Sequence, residues 1–90
     1  MQKRIRYKGH VQGVGFRYSV RQIVSGYEIS GTVQNQSDGS VLLEVEGEER
    51  ELQLFLTELK NEMAGFIREV EEEILLPESP KMSGFRILHS

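Results

Sequence analysis

The chain has 90 residues, 38% of them hydrophobic and 28% charged, with a net charge of −3 and no cysteine. A chain of this length encloses one small core, so residues 1–90 are expected to form a single domain, and disulfides, thiol catalysis and cysteine-ligated zinc are excluded. No run approaches the ~18 apolar residues of a membrane span, and the basic start has no apolar stretch behind it as a secretory leader requires, so a cytoplasmic protein is expected.

Residues 2–9 alternate as a strand, with Ile5 and Tyr7 on one face and Arg4, Arg6 and Lys8 on the other. This basic strand belongs to a wider asymmetry: residues 1–30 carry six Lys/Arg against one acid, and residues 31–90 carry five against thirteen. Phe16, Val20, Ile23, Val24 and Tyr27 then recur at helical spacing, predicting a helix from about 17 to 25. Strands follow over about 29–36 and 40–47, joined at Asp38-Gly39, where glycine tolerates the positive φ of a tight hairpin. In the second of these, Val41, Leu43 and Val45 face inward and Leu42, Glu44 and Glu46 outward. A second helix over about 48–63 buries Leu52, Phe55, Leu56, Leu59 and Met63, with Glu48, Glu49 and Glu51 at its N-terminal dipole. A strand lies within 67–76, its alternation interrupted by Glu71, Glu72 and Glu73. A loop carries Pro77 and Pro80, and Phe85 and Ile87 suggest a short edge strand.

The order βαββαβ, with one apolar and one polar face per strand, predicts a ferredoxin-like α+β sandwich. Two helices cover one face of an antiparallel four-stranded sheet of order 4-1-3-2, and the short C-terminal strand extends an edge. That order sets Arg4, Arg6 and Lys8 beside Glu44 and Glu46, which accounts for the basic strand without nucleic acid. The acidic runs at Glu48-Glu49 and at Glu71, Glu72 and Glu73 read as solvated faces.

The chemistry concentrates between the first strand and the first helix, in Gly9-His10-Val11-Gln12-Gly13-Val14-Gly15-Phe16-Arg17. Three glycines in seven residues permit positive φ and let main-chain N–H groups converge on an anion. The helix N-terminus behind them adds partial positive charge, and Arg17 adds a planar guanidinium shaped for two phosphate oxygens. The third glycine of a dinucleotide fingerprint and the Gly-Lys-Ser/Thr of a nucleotide P-loop are both absent. A second constellation, Gly31-Thr32-Val33-Gln34-Asn35-Gln36-Ser37-Asp38-Gly39, places Asn35 before the hairpin, where its amide can grip and orient a water.

Together these two segments resemble the paired signature of the acylphosphatase family. They match in Gly9-x-Val11-Gln12-Gly13-Val14-x-Phe16-Arg17 and Gly31-x-Val33-x-Asn35-x-x-Asp38-Gly39, and the likeness continues through Glu46-Gly47 and Phe85-x-Ile87. The resemblance implies hydrolysis of acyl phosphates to carboxylate and inorganic phosphate. It implies that Arg17 binds phosphate, that Asn35 positions the attacking water, and that the main chain of Gln12, Gly13, Val14, Gly15 and Phe16 cradles the phosphate. Two departures stand out: Thr32 occupies a usually aromatic position near the site, and Glu28 occupies that of a helix-ending glycine, a role that passes to Gly26.

The acyl phosphate leaving group is a carboxylate, a weak base that departs without a proton, so charge stabilisation and an aligned water suffice. No metal or cofactor is expected, since His10 and His89 are the only histidines and no ligand spacing occurs. The expected partners are a small-molecule acyl phosphate and inorganic phosphate, the latter as product and competitive inhibitor, acting on a monomer with no nucleic acid or membrane. The alternative is a non-catalytic anion- or nucleic-acid-binding module of the same fold. RNA-recognition sheets carry stacking aromatics on central strands, whereas here the open face of the first strand is Arg4, Arg6 and Lys8.

Overall fold

In the computed structural model, which describes residues 1–89, the first alternating segment forms strand β1 (Gln2–Gly9). The chain continues through helix α1 (Phe16–Val24), β2 (Ser30–Asn35), β3 (Val41–Glu46), helix α2 (Glu49–Glu62), β4 (Ile67–Ile74) and β5 (Phe85–Leu88). The strands form one sheet in the order β4-β1-β3-β2-β5. The ferredoxin-like 4-1-3-2 order is therefore present, with β5 added outside β2. Ile5 and Tyr7 from β1, Val33 from β2 and Val41, Leu43 and Val45 from β3 make the covered face of the sheet. Phe16, Val20 and Val24 from α1 and Leu52, Phe55 and Leu59 from α2 close over them. Both helical stripes lie where the periodicity sets them, with Ile23, Tyr27 and Leu56 at the margins of the core.

The open face is a charge ladder. Arg4 lies between Glu44 on β3 and Glu73 on β4, at 3.1 and 3.5 Å. Arg6 faces Glu71 at 3.9 Å, and Lys8 reaches the same carboxylate at 3.1 Å. This register extends one expectation and corrects another. Glu71, Glu72 and Glu73 are exposed, as expected of a solvated face; Glu71 and Glu73 are in addition cross-strand partners of β1, whereas Glu72 points to the helix side and pairs with the buried Lys3 at 3.7 Å. Glu46 does not serve the basic row: it accepts from the Met82 main-chain N–H at 2.6 Å and from Gln2 at 3.3 Å.

Those last contacts belong to a strap. After β4 the chain crosses the sheet end where β1 starts, held by Leu75 N–H to Gln2 O and by Gln2 Nε2 to Pro80 O. It reaches the far edge at Gly84, whose carbonyl accepts from Gly31 N–H at 2.8 Å. Entering from the end where β2 begins, β5 can only run parallel to β2, and its last pair is Leu88 with Gln34. The sheet is therefore mixed, a consequence of the strap that local alternation does not encode.

Helix α1 ends without a left-handed glycine. Gly26 is absent from the positive-φ glycines, and the chain leaves through Gly26 N–H to Ile23 O and Tyr27 N–H to Val24 O. The Glu28 N–H is taken by the Glu51 carboxylate at 3.1 Å, which ties the start of β2 to α2. Thr32, expected near the site, instead lies on the open face, opposite Glu44 and Arg86.

Gly31 has a different reason to be glycine. A Cβ there runs into the Glu44 carbonyl and comes within 3.0 Å of Val45 Cα, both main-chain atoms of the adjacent strand. Gly31→Ala is expected to cost about 1–3 kcal/mol, lowering the melting midpoint by about 4–8 °C per kcal/mol in a domain this small. Gly65→Ala, where nothing lies within 4 Å, is expected to stay within about 0.5 kcal/mol. Thermal melts of the two variants separate a steric requirement from a general glycine effect.

Candidate active site

The ends of β1, β2 and β5 and the start of β3 converge at one end of the sheet, where the 10–15 loop and the 36–40 hairpin also lie. The loop is pinned on both sides of its glycines. Val11 is 1% exposed and Phe16 2% exposed, and the Phe16 ring packs 5.1 Å from that of Tyr7. Between these anchors, Gly13 (φ 79°) and Gly15 (φ 77°) adopt the left-handed conformation, and nothing lies within 4 Å of where a Cβ would stand on either, so both face open space. Gly15 is the N-cap of α1, so no side chain caps the helix, and its first turn contains no acid. The main-chain donors that helices leave unsatisfied at this end are available to an anion.

Gln12 has a second role that the sequence did not suggest. Its Nε2 donates to Gln36 O at 2.8 Å and to Ser40 O at 2.9 Å, fastening the glycine loop to the hairpin. With both side-chain donors engaged, its main-chain N–H is the donor left for an anion. The hairpin itself is a three-residue loop closed by Gly39 N–H to Gln36 O and Gln36 N–H to Ser40 O. Positive φ falls on Gly39 alone and not on Asp38, the pattern of a type I turn with a bulge rather than a two-residue turn. Asp38 closes the hairpin from inside, its Oδ1 accepting from Ser40 Oγ at 2.6 Å and from Ser40 N–H at 3.0 Å.

Arg17, in the first turn of α1, is half-buried. Its Nη1 donates to Leu88 O at 3.2 Å and lies 3.3 Å from His89 Nδ1. Leu88 is the strand partner of Gln34, the residue before Asn35. The Arg17 guanidinium therefore lies at the end of the β2–β5 pair, the end at which β2 finishes in Asn35. Asn35 is the last residue of β2, paired with Val41, and alternation sets it on the helix side with Gly31 and Val33. His10 is engaged elsewhere: its N–H donates to Phe66 O at 2.9 Å and its ring stacks on Phe66. Leu88 O and His89 escape sequence reasoning, because nothing local reveals which helix a terminal strand will meet. Among the described residues, no cluster of three or more His, Asp or Glu is placed to hold a metal ion, and no helix is long and apolar enough to cross a membrane.

The family model for acylphosphatase matches residues 3–87. An acylphosphatase of Oceanobacillus iheyensis is 38% identical over 85 residues, covering 93% of each chain, and one of Thermotoga petrophila is 42% identical over 76 residues, covering 83% of this chain and 84% of its own. Among solved structures, acylphosphatase from Bacillus subtilis superposes with a TM-score of 0.77 at 34% identity over 97% of both chains. The HypF structure of T. kodakarensis superposes with a TM-score of 0.85 at 28% identity, over all of this chain and 12% of that one.

The hairpin and the clasp across it can each be tested without substrate. Ser40 donating to Asp38, through its hydroxyl and then its N–H, with Arg6 nearby, holds the Asp38 carboxyl below its ordinary 3.8. A carboxyl with a lowered folded value adds stability above its unfolded titration, and that stability is lost as pH falls through the folded one. NMR titration should therefore place the Asp38 midpoint below 3.8, and Ser40→Ala should move it upward. Gln12→Ala should destabilise the fold by about 1–2 kcal/mol. It should also speed amide exchange at residues 13–16 while leaving the β1–β3 ladder protected, a pattern read directly by hydrogen exchange.

Proposed function

The chain belongs to the acylphosphatase family, and from that premise we propose that the loop-and-hairpin end of the sheet hydrolyses acyl phosphates by in-line attack of water on phosphorus. The observation that carries the reading is the Arg17 guanidinium held beside the end of β2 by Leu88 O, next to an uncapped helix start and an open pair of left-handed glycines. Main-chain N–H groups of Gln12, Gly13, Val14, Gly15 and Phe16 cradle the phosphate oxygens, and Arg17 binds two of them. Asn35 orients a water opposite the acyl oxygen. The water oxygen bonds to phosphorus as the phosphorus–acyl oxygen bond breaks. The electron pair leaves on the carboxylate, and the water proton passes to a phosphate oxygen. Charge develops where fixed donors already point, so little reorganisation is needed. The substrate is a small molecule, and inorganic phosphate competes with it for the same cradle. One domain, without cofactor or metal, nucleic acid or membrane, suffices for this chemistry, which suits a monomer in the cytoplasm.

Benzoyl phosphate hydrolysis in excess chelator tests this reading, and full activity is expected. Arg17→Ala should raise the phosphate inhibition constant and abolish most turnover, since its charge meets ground and transition states alike. Asn35→Ala should keep phosphate inhibition nearly intact and lower kcat by about 10²–10³-fold, the loss of one preorganised polar contact. Phosphate binding without turnover would assign the chain to a non-catalytic anion-binding module instead, and equal loss of phosphate affinity in both variants would reverse the assigned roles.

A further inference from the structure

Arg17 is held from one side by two acceptors, and only one of them is a side chain. The first is the Leu88 carbonyl, fixed by its place in β5; the second is His89 Nδ1, 3.3 Å from the guanidinium. One step beyond the last strand pair, Gln34 with Leu88, come Asn35 and His89. The alternation of Phe85 and Ile87 carries His89 to the helix side, where Arg17 meets it. We propose that His89 is a positioning residue for Arg17: its neutral imidazole accepts from Nη1 and, with Leu88 O, aims the guanidinium across the end of β2 at the anion loop.

The physical case rests on what Arg17 lacks. An arginine side chain has about 2 kcal/mol of rotamer freedom, and an arginine that binds an anion must not be neutralised by a carboxylate in the empty site. Among the described residues the ion pairs are made by Lys3, Arg4, Arg6 and Lys8, one of them from Arg6 to Asp38 of the hairpin, and none is made by Arg17. Two neutral acceptors orient the guanidinium while leaving its charge for the incoming phosphate.

The inference rests on the anion-binding role of Arg17 proposed above, so its test reads phosphate binding rather than turnover. Inorganic phosphate is titrated calorimetrically into the wild-type chain, His89→Ala, His89→Asn and Arg17→Ala. His89→Ala should weaken phosphate about three- to tenfold, the scale of one net hydrogen bond. His89→Asn, whose amide oxygen can accept at the Nδ1 position, should restore most of it. Wild-type affinity in His89→Ala, or no rescue by asparagine, overturns the positioning role. Absence of phosphate binding by the wild-type chain overturns this inference and the anion-site reading together. Binding without acyl phosphate hydrolysis overturns the catalytic reading alone.

Discussion

Two buried side chains, Val11 and Phe16, hold the glycine loop between them, and the rest of the candidate site depends on that restraint. Left-handed glycines facing open space, as at Gly13 and Gly15, have no contacts of their own to keep them in place. Glycine also loses more conformational freedom on ordering than any other residue. The loop keeps one shape because its ends are part of the core, with Phe16 packed on Tyr7, and because Gln12 fastens its middle to the hairpin. Phe16 is also the first residue of α1. The packing that fixes the loop therefore fixes the helix start, and Arg17 follows directly from it.

The sheet supplies the second partner of the site by a longer route. The strap after β4 is tied down at Gln2, Glu46 and Gly31, and these contacts make β5 parallel to β2. Only a parallel β5 ends beside Asn35; an antiparallel strand on the same edge would end at the opposite side of the sheet. The position of Leu88 O and His89 next to Arg17 is thus decided before the last strand begins, by hydrogen bonds at the far end of the sheet.

The basic first strand has a structural destination. Arg4, Arg6 and Lys8 spend their charge on Asp38, Glu44, Glu71 and Glu73, and none of the three belongs to the glycine loop. Exposed pairs of this kind contribute little stability each. Their alternation sets the β1–β4 register, however, and covers an edge strand with acids, which discourages edge-to-edge pairing with another copy. The charge asymmetry between the first third and the remainder of the chain is thereby resolved within the fold.

Local chemistry determined a good deal of this protein. Period-2 and helical spacing located the elements that bury one face, because their apolar residues must recur at the period of the backbone; β4, exposed along nearly all its length, was bounded only within 67–76. The glycine loop, Arg17 and Asn35 were legible because φ > 0, fixed charge and a bifunctional amide each call for particular residue types. Other features belonged to the tertiary structure alone. The partner of Glu46, the open-face position of Thr32, the clasp of Gln12 on the hairpin and the contact of His89 with Arg17 all join residues far apart in the chain or depend on strand neighbours. A side chain states which bonds it can make, but the partner it meets is set by how the whole sheet closes, and no local pattern carries that information.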